Sequence, residues 1–456
     1  MATSLLLLVE CFREREPKTC TRLARAGIGE AGAHVAKGIA GLVIRARNEG
    51  PAWIDRTISA GLASDAWPLR KLRSLLARGR AVPDPLLPDA AAPVRVLFGP
   101  FNYAGQAHHW ARSLERAEPE GAAPSISARC FATSAGGFGF AVDQIVPSGV
   151  FIGSEAWQAS QREALAAYSH VVIESFGSLV GKGTGRVVLH EIEALRARGV
   201  QVALLCHGSD IRSPRAHAAR TPDLLLSEWG PTVKRLQRGA DENRMVLDAF
   251  DGPVFVSTPD LLIDVPEATL LPVVVDVDAW AGAAKRLDGE PGEPSGLPTV
   301  MHIPSNASIK GSAHVDRAAA ELAERGVIRY ERLSGIAAPQ MPETIARADI
   351  VVDQLLLGSY GVAACEAMAA GRTVVGNVSD QVRAAVLAAT GRELPIVQAT
   401  PHTLGRVLAE LAGAAAARSE AGSRGAAFVR AVHGGDLTAA AMADFLGIGG
   451  RPSRTP

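Results

Sequence analysis

Short apolar, β-branched runs alternate with helical repeats over most of this 456-residue chain. Buried strands are predicted at 94–98, 127–132, 171–174, 200–206, 254–257, 299–303, 327–333, 350–352, 373–376 and 395–397. Helices are predicted at 108–116, 186–198, 232–250 and 342–348, after Gly311, Gly361 and Ser379, and over most of 404–446. Strands that alternate with helices are typical of parallel sheets covered by helices. The pattern therefore predicts an α/β protein.

Residues 350–371 carry the strongest chemical signal. A β-branched strand ends in Asp353, a glycine-containing turn follows, and a helix of small residues begins near Gly361 with Glu366 in its second turn. The free amides at a helix start attract phosphate, and a carboxylate one turn further along can accept hydrogen bonds from the two hydroxyls of a ribose. This combination predicts a site for a nucleotide diphosphate.

The same stretch resembles the donor-binding motif of the retaining glycosyltransferases of family 4, which have the GT-B fold. The likeness rests on residues 366–371, which read Glu-Ala-Met-Ala-Ala-Gly, and on the aromatic-Gly pair at 360–361. The first Glu of the family's motif falls at Gly358, and this chain has Asp-Gln at 353–354 ahead of the loop instead. The donor-binding residues implied by this resemblance are Asp353, Gln354, Tyr360, Gly361, Val362 and Glu366.

Lys310 follows the strand at 299–303 and precedes a further predicted helix. A lysine at this point can meet a phosphate as a point charge, and Gly311 lets the backbone come close to a ligand. The family usually has an Arg five residues earlier, where this chain has Ser305. Spacing and resemblance together predict that Lys310 binds the donor diphosphate and stabilises it as it leaves. The alternative is an ordinary surface lysine.

Two loops of the first half carry the remaining candidates. Gly105 lies between a strand and a helix, where glycine lets the backbone approach a ligand. His207 and Asp210 follow the strand at 200–206, at the edge where open α/β sheets bind ligands. The resemblance implies that His207 lies at the sugar-transfer site and Gly105 near the donor phosphate, and we assign Asn102 and Asp210 to the acceptor. Asp210 could also orient His207 or cap the following turn, and a solvated loop histidine is the alternative for His207.

The resemblance also implies an architecture of two Rossmann-like domains facing across a cleft, with acceptor bound by the first and donor by the second. The segments are assigned as a helical extension with a Pro-rich linker at 1–92, a first domain at 93–280, a linker at 281–298, a second domain at 299–425, and a C-terminal helix crossing back with a tail at 426–456. Retention of anomeric configuration, independence from a bound metal and the lack of a cofactor are implied in the same way. Residues 276–278 fit an Asp-x-Asp metal pattern, but we predict a turn there because they follow the hinge segment.

Composition narrows the choice of partners. The 47 basic and 47 acidic residues give no net charge, so nothing favours bulk attraction to nucleic acid.

Five scattered cysteines without metal-site spacing are typical of a reduced, cytoplasmic protein. The apolar run at 5–9 is too short to cross a membrane. Apolar residues at helical spacing with interleaved arginines over 54–80 predict helices packed on the body of the protein or, alternatively, a basic surface touching anionic lipid at the inner face of the membrane.

These observations predict a glycosyltransferase that moves a sugar from a nucleotide diphosphate sugar to a hydroxyl of a small-molecule, lipid-linked or glycan acceptor. Acceptor choice is expected to depend on first-domain loops such as 136–140. The alternative is a non-catalytic GT-B descendant that binds a nucleotide sugar or a glycan, because the first motif Glu and the usual Arg are both missing. A dehydrogenase is disfavoured because the dinucleotide glycine fingerprint is absent.

Overall fold

The computed structural model describes residues 79–117, 125–133, 138–181, 187–221, 232–288 and 296–448, together with Ser74 and Ala77. Most of the predicted helical extension, including nearly all of the basic amphipathic region at 54–80, lies outside these residues, as do Cys11 and Cys20. Among the described residues, no helix combines the length and the apolar character needed to cross a bilayer.

The first half of the chain forms a seven-stranded parallel sheet with the strand order β3-β2-β1-β4-β5-β6-β7. Its strands are β1 (Val94–Gly99), β2 (Ile126–Ala132), β3 (Gln144–Ile145), β4 (His170–Glu174), β5 (Gln201–Cys206), β6 (Val254–Val256) and β7 (Thr269–Leu270). Its helices are α1 (Gln106–Arg116), α2 (Ser148–Gly153), α3 (Glu155–Leu165), α4 (Val187–Arg196), α5 (Pro214–Arg220) and α6 (Thr232–Asp248).

The second half forms a five-stranded parallel sheet with the order β12-β11-β10-β8-β9. Its strands are β8 (Thr299–His302), β9 (Arg329–Arg332), β10 (Ile350–Val352), β11 (Thr373–Gly376) and β12 (Val397–Gln398). The remaining helices are α7 (Val277–Asp288), α8 (Ala307–Lys310), α9 (Ser312–Glu324), α10 (Met341–Ala346), α11 (Val362–Ala369), α12 (Asp380–Thr390), α13 (Leu404–Gly413), α14 (Ala415–His433) and α15 (Asp436–Met442).

Successive residues of the central strands are buried on opposite faces of each sheet. In β1, Leu97 belongs to the core on one face, while Val96 and Phe98 belong to the core on the other. In β10, Val351 belongs to the core on one face of the second sheet and Val352 to the core on the other. Because helices cover both faces, the central strands are buried on both sides, which explains their apolar runs in the sequence.

Helix α7 differs from the sequence prediction, which placed a turn at 276–278 and a linker at 281–298. Asp276 caps the helix, since its Oδ1 accepts a hydrogen bond from the amide of Ala279 at 3.1 Å. Trp280 is buried in the core of the second half. The helix therefore spans the predicted domain boundary at 280 and packs with the second sheet rather than serving as a flexible connection.

Side chains from both halves hold the connecting segment 271–276. Gln106 of α1 donates to the carbonyl of Val274 at 3.0 Å, and its Oε1 accepts from the Val274 amide at 2.7 Å. Nδ1 of His433, at the end of α14, donates to the carbonyl of Val273 at 2.7 Å. After α14 the chain returns to the first half, where α15 packs on α1. The two halves are thus joined through a hinge, residues 271–276, that both of them hold by hydrogen bonds.

Candidate active site

A cavity of about 730 Å³ lies between the two sheets. Loops after β1 and β5 line it from the first half, and loops after β8 and β10 line it from the second half. All four loops leave the C-terminal ends of parallel strands, where open α/β sheets bind ligands. The sequence-predicted site residues that line the cavity are Asn102, His207, Lys310, Asp353, Gln354, Tyr360, Gly361, Val362 and Glu366.

Lys310 forms an ion pair in the cavity. It ends the short helix α8, and its Nζ lies 2.6 Å from Oδ1 of Asp353, which directly follows β10. The Asp353 side chain is only 2% exposed. Gly311, the next residue, has a φ of 73°, and a Cβ there would lie 2.9 Å from Leu356. The positive φ and the close packing against Leu356 favour glycine at this position.

The start of α11 and the carboxyl of Glu366 lie on the same side of the cavity. The helix begins at Val362 directly after Gly361, and the amides of its first turn have no acceptor within the helix. The side chain of Glu366, one turn further, makes no hydrogen bond or ion pair with any described residue. Burial raises the pKa of Glu366 to about 8, with Lys310 acting to lower it and Asp353 to raise it. The carboxyl is therefore protonated at neutral pH when no ligand is bound.

Gln354 and Tyr360 shape the loop at 353–361, between β10 and α11. Nε2 of Gln354 donates to the carbonyl of Ser359 at 2.5 Å, which closes the turn between them. The Tyr360 ring is buried in the core of the second half, and its hydroxyl lies 3.4 Å from Nε2 of His433. Both residues border the cavity, and these contacts of Nε2 of Gln354 and of the Tyr360 hydroxyl help to position the loop.

Two predicted site residues, Gly105 and Asp210, are not among the described residues that line the cavity. The amide of Gly105 donates to the carbonyl of Asn102 at 3.2 Å in the turn before α1, so it is not available to a phosphate. The Asp210 carboxylate accepts from the amides of His207 at 2.9 Å and of Gly208 at 2.6 Å, so it is engaged within its own loop. Asn102 borders the cavity, but its side-chain amide donates to the carbonyl of Ala141 at 2.8 Å.

His207 is oriented by a residue that the sequence analysis did not select. Its Nε2 lies 2.9 Å from Oε2 of Glu174, a wholly buried residue at the end of β4. The imidazole also contacts Tyr103 and Trp110, with ring centroids 5.0 Å and 5.5 Å away. Burial raises the pKa of Glu174, and neither of its carboxylate oxygens has a well-aligned hydrogen-bond donor in the described part of the chain. A buried carboxylate in this situation is typical of a functional site.

The backbone after Glu174 is strained. Ser175 and Phe176 have φ values of 48° and 56°, in the left-handed region that non-glycine residues rarely adopt. Such a conformation costs roughly 1–3 kcal/mol per residue and is concentrated at functional sites. It turns the chain sharply at the sheet edge, which leaves the Glu174 carboxylate beside the ring of His207.

Arg212 is a second cation in the cavity that the sequence analysis missed. Its guanidinium makes an ion pair with Asp260, whose side chain is buried. Glu174 lies beside His207 and Asp260 beside Arg212 because of the order of the strands in the sheet, since each pair is distant in sequence.

The described residues contain no group of three or more His, Cys, Asp or Glu side chains arranged to hold a metal ion.

No protein-family model matches this chain, and no curated protein does. Among solved structures, the chain is similar to HepE of Anabaena in complex with UDP and glucose, with 13% identity and a TM-score of 0.51 over 77% of this chain and 99% of that one. Sucrose-phosphate synthase of Thermosynechococcus elongatus has 14% identity and a TM-score of 0.47 over 77% and 98% of the two chains. WaaG, a glycosyltransferase involved in lipopolysaccharide biosynthesis, has 12% identity and a TM-score of 0.42 over 78% and 100%. The fold is GT-B, as the sequence predicted.

Proposed function

We propose that this protein transfers a glycosyl group from a nucleotide diphosphate sugar to a hydroxyl acceptor, with retention of anomeric configuration and without a bound metal or cofactor. The observation that carries the proposal is the grouping of Lys310, the start of α11 and Glu366 along one cavity, with His207 on its opposite wall. The Anabaena protein with the same fold binds UDP, which supports a nucleotide donor here. Retention and metal independence rest on the family resemblance alone.

The donor groups follow from the geometry of this side of the cavity. The amides at Gly361 and Val362 and the ammonium of Lys310 would receive the diphosphate, while the ionised form of Glu366 would accept hydrogen bonds from the ribose hydroxyls. Charge builds up on the diphosphate as the sugar leaves. Fixed donors that already point at that position lower the barrier, because they need no reorganisation during the reaction.

The Asp353 carboxylate keeps Lys310 in place in the absence of a ligand. Because Lys310 is paired with it at 2.6 Å, the ammonium is already held in the cavity, and an arriving diphosphate adds a second set of acceptors. Ser305 stands where the family usually has an Arg, and Arg212 from the opposite wall is the other cation available among the described cavity residues. We assign it to the same diphosphate.

The first experiment measures the melting temperature of the full chain with UDP, GDP, ADP and their sugar conjugates. A ligand that binds only the folded state at 100 times its Kd adds about 2.7 kcal/mol of stability. We expect one nucleotide to raise the melting temperature, and Lys310→Ala and Glu366→Gln to remove that shift. Lys285→Ala and Glu324→Gln change exposed residues outside the cavity and serve as matched controls that keep the shift.

The non-catalytic alternative is favoured by one observation, the absence of the motif Glu at Gly358 and of the Arg at Ser305. It predicts a nucleotide-dependent shift without any release of nucleotide from its sugar conjugate. NMR detection of the glycoside product distinguishes the two functions and reports its anomeric configuration. If no nucleotide changes the melting temperature at millimolar concentration, the donor site itself is wrongly assigned.

A further inference from the structure

Two pairs of aromatic side chains line the wall of the cavity that belongs to the first half. Phe101 and Tyr103 follow β1 and stack with ring centroids 5.2 Å apart, while Phe138 and Phe140 follow β2 with centroids 6.1 Å apart. Tyr103 is 41% exposed, and the three phenylalanines are partly exposed. Aromatic rings that remain open to a cavity provide an apolar surface for a ligand with a planar body.

The charges of the cavity disfavour a second anionic ligand beside the donor. The charged residues lining it, apart from His207, are Lys310, Arg212, Asp353 and Glu366. Lys310 is paired with Asp353, and Arg212 is paired with buried Asp260. In the proposed complex, the negative charge of the donor diphosphate also interacts with Lys310 and Arg212. No unpaired cation among the described lining residues then remains for a phosphate or carboxylate on the acceptor, and an unpaired buried anion is costly.

Several polar side chains of this wall are engaged within the protein, since Asn102, Gln106 and Ser257 each donate to a backbone carbonyl. The hydroxyls of Thr133 and Ser209 also line the cavity. His207 borders the cavity, and its Nδ1 makes no hydrogen bond with any described residue. Oε2 of Glu174 lies 2.9 Å from Nε2, so Nδ1 is the ring nitrogen that is left for a hydroxyl of a ligand.

We infer that the acceptor is a neutral, planar and largely apolar phenol or alcohol, whose body lies on the aromatic wall and whose hydroxyl donates to Nδ1 of His207. The inference rests on the proposed function. In the transfer, the hydroxyl oxygen forms a bond to the anomeric carbon on the face from which the diphosphate departs, so the configuration is retained. The bond from that carbon to the diphosphate oxygen breaks, and the hydroxyl proton passes to Nδ1. Glu174 is a positioning residue that sets the orientation of the imidazole.

The test measures binding of three probes to the full chain by calorimetry, in the presence of the nucleotide that stabilises it. The probes are 2-naphthol, 6-hydroxy-2-naphthoate, which adds one carboxylate to the same ring, and methyl α-glucoside, which has neutral hydroxyls without an aromatic body. We expect 2-naphthol to bind at least about tenfold more tightly than either of the others, a difference of roughly 1.4 kcal/mol.

Two pairs of variants locate the ring and the hydroxyl. Tyr103→Ala is expected to weaken 2-naphthol binding about fivefold, and Tyr103→Phe to retain it, because the ring face supplies the contact. Both leave the nucleotide-induced thermal shift unchanged. Glu174→Gln is nearly isosteric and is expected to lower kcat for transfer to 2-naphthol about 100-fold with the donor KM unchanged, whereas Glu191→Gln, a buried carboxyl outside the cavity, leaves kcat unchanged.

Three outcomes would overturn the inference: no 2-naphthol binding at millimolar concentration, equal binding of the naphthoate, or tighter binding of the glucoside. If the nucleotide shift persists in those cases, the acceptor class is wrong and the donor site stands. If UDP, GDP and ADP all fail to shift the melting temperature, the proposed function fails, and this inference fails with it.

Discussion

Glu366 is expected to destabilise the ligand-free protein, and Glu366→Gln to stabilise it at alkaline pH. Burial holds the pKa of this carboxyl at about 8, against an ordinary value of 4.5. One pKa unit corresponds to about 1.4 kcal/mol, so ionising Glu366 in the folded protein costs about 5 kcal/mol more than in the unfolded chain. Glutamine has nearly the same shape and cannot ionise, so the variant avoids this cost.

The sign of the pH dependence follows from proton binding. The folded protein binds the proton of Glu366 more tightly than the unfolded chain does, so its stability falls as pH rises from 4.5 and levels off above about 8. We expect Glu366→Gln to melt close to the wild type at pH 5. Between pH 5 and pH 8.5, the free energy of unfolding of the variant rises by about 4 kcal/mol relative to that of the wild type.

Thermal unfolding of both proteins without ligand, at pH 5 and at pH 8.5, measures this effect. For a unit of 150–250 residues a gain of that size raises the melting temperature on the order of 10 °C. Glu324→Gln, on the exposed end of α9, is the control and is expected to follow the wild type at both pH values. An equal gain at both pH values, or none at pH 8.5, would refute the claim that burial of an ionised carboxyl causes the instability.

Three further results are expected. Binding of the stabilising nucleotide at pH 7 releases close to one proton, because the ribose hydroxyls favour ionised Glu366, and calorimetry in buffers of different ionisation enthalpy would give identical heats if this were wrong. Gly422→Ala destabilises the protein although alanine favours a helix by about 1 kcal/mol, because its Cβ would lie 2.1 Å from the carbonyl of Gly371; Gly239→Ala, with open space in α6, is the stabilising control in thermal melts. Burial lowers the pKa of His433 from 6.5 to about 4, so stability is lost as pH falls through that window, and His433→Gln lacks this loss of about 3 kcal/mol in melts between pH 7 and 4.

The central strands were predictable because burial on both faces makes them continuous apolar runs. Strands β3 and β7 have two residues each, which is too short for any periodicity. Helix α3 was missed for a different reason. Two of its buried positions are Gln158 and Gln161, and the Gln158 amide is satisfied by backbone carbonyls of α2, so a polar residue stands where the helical pattern expects an apolar one.

The candidate site also contains residues that could be selected from the sequence and partners that could not. Lys310, Glu366 and His207 could be selected because each lies in or beside a connection between a strand and a helix, and local sequence defines those connections. Glu174 also ends a predicted strand, but its partner His207 is known only once β4 is placed beside β5. The pairing of Arg212 with Asp260 likewise depends on how distant segments meet. Residues near the ends of strands and helices can be selected from the local sequence, whereas the partners of charged groups that are distant in sequence depend on the topology of the sheet.

Side chains from both halves hold the hinge that connects the two walls of the cavity. Gln106 exchanges two hydrogen bonds with Val274, and His433 donates to Val273, so adjacent hinge residues are held by opposite halves. A rotation at this segment would leave buried backbone groups without partners, at a cost of about 1–3 kcal/mol for each group. The hinge therefore favours the present spacing between the Lys310 side of the cavity and the His207 wall. A donor and an acceptor bound on these two walls would meet without a large domain rearrangement.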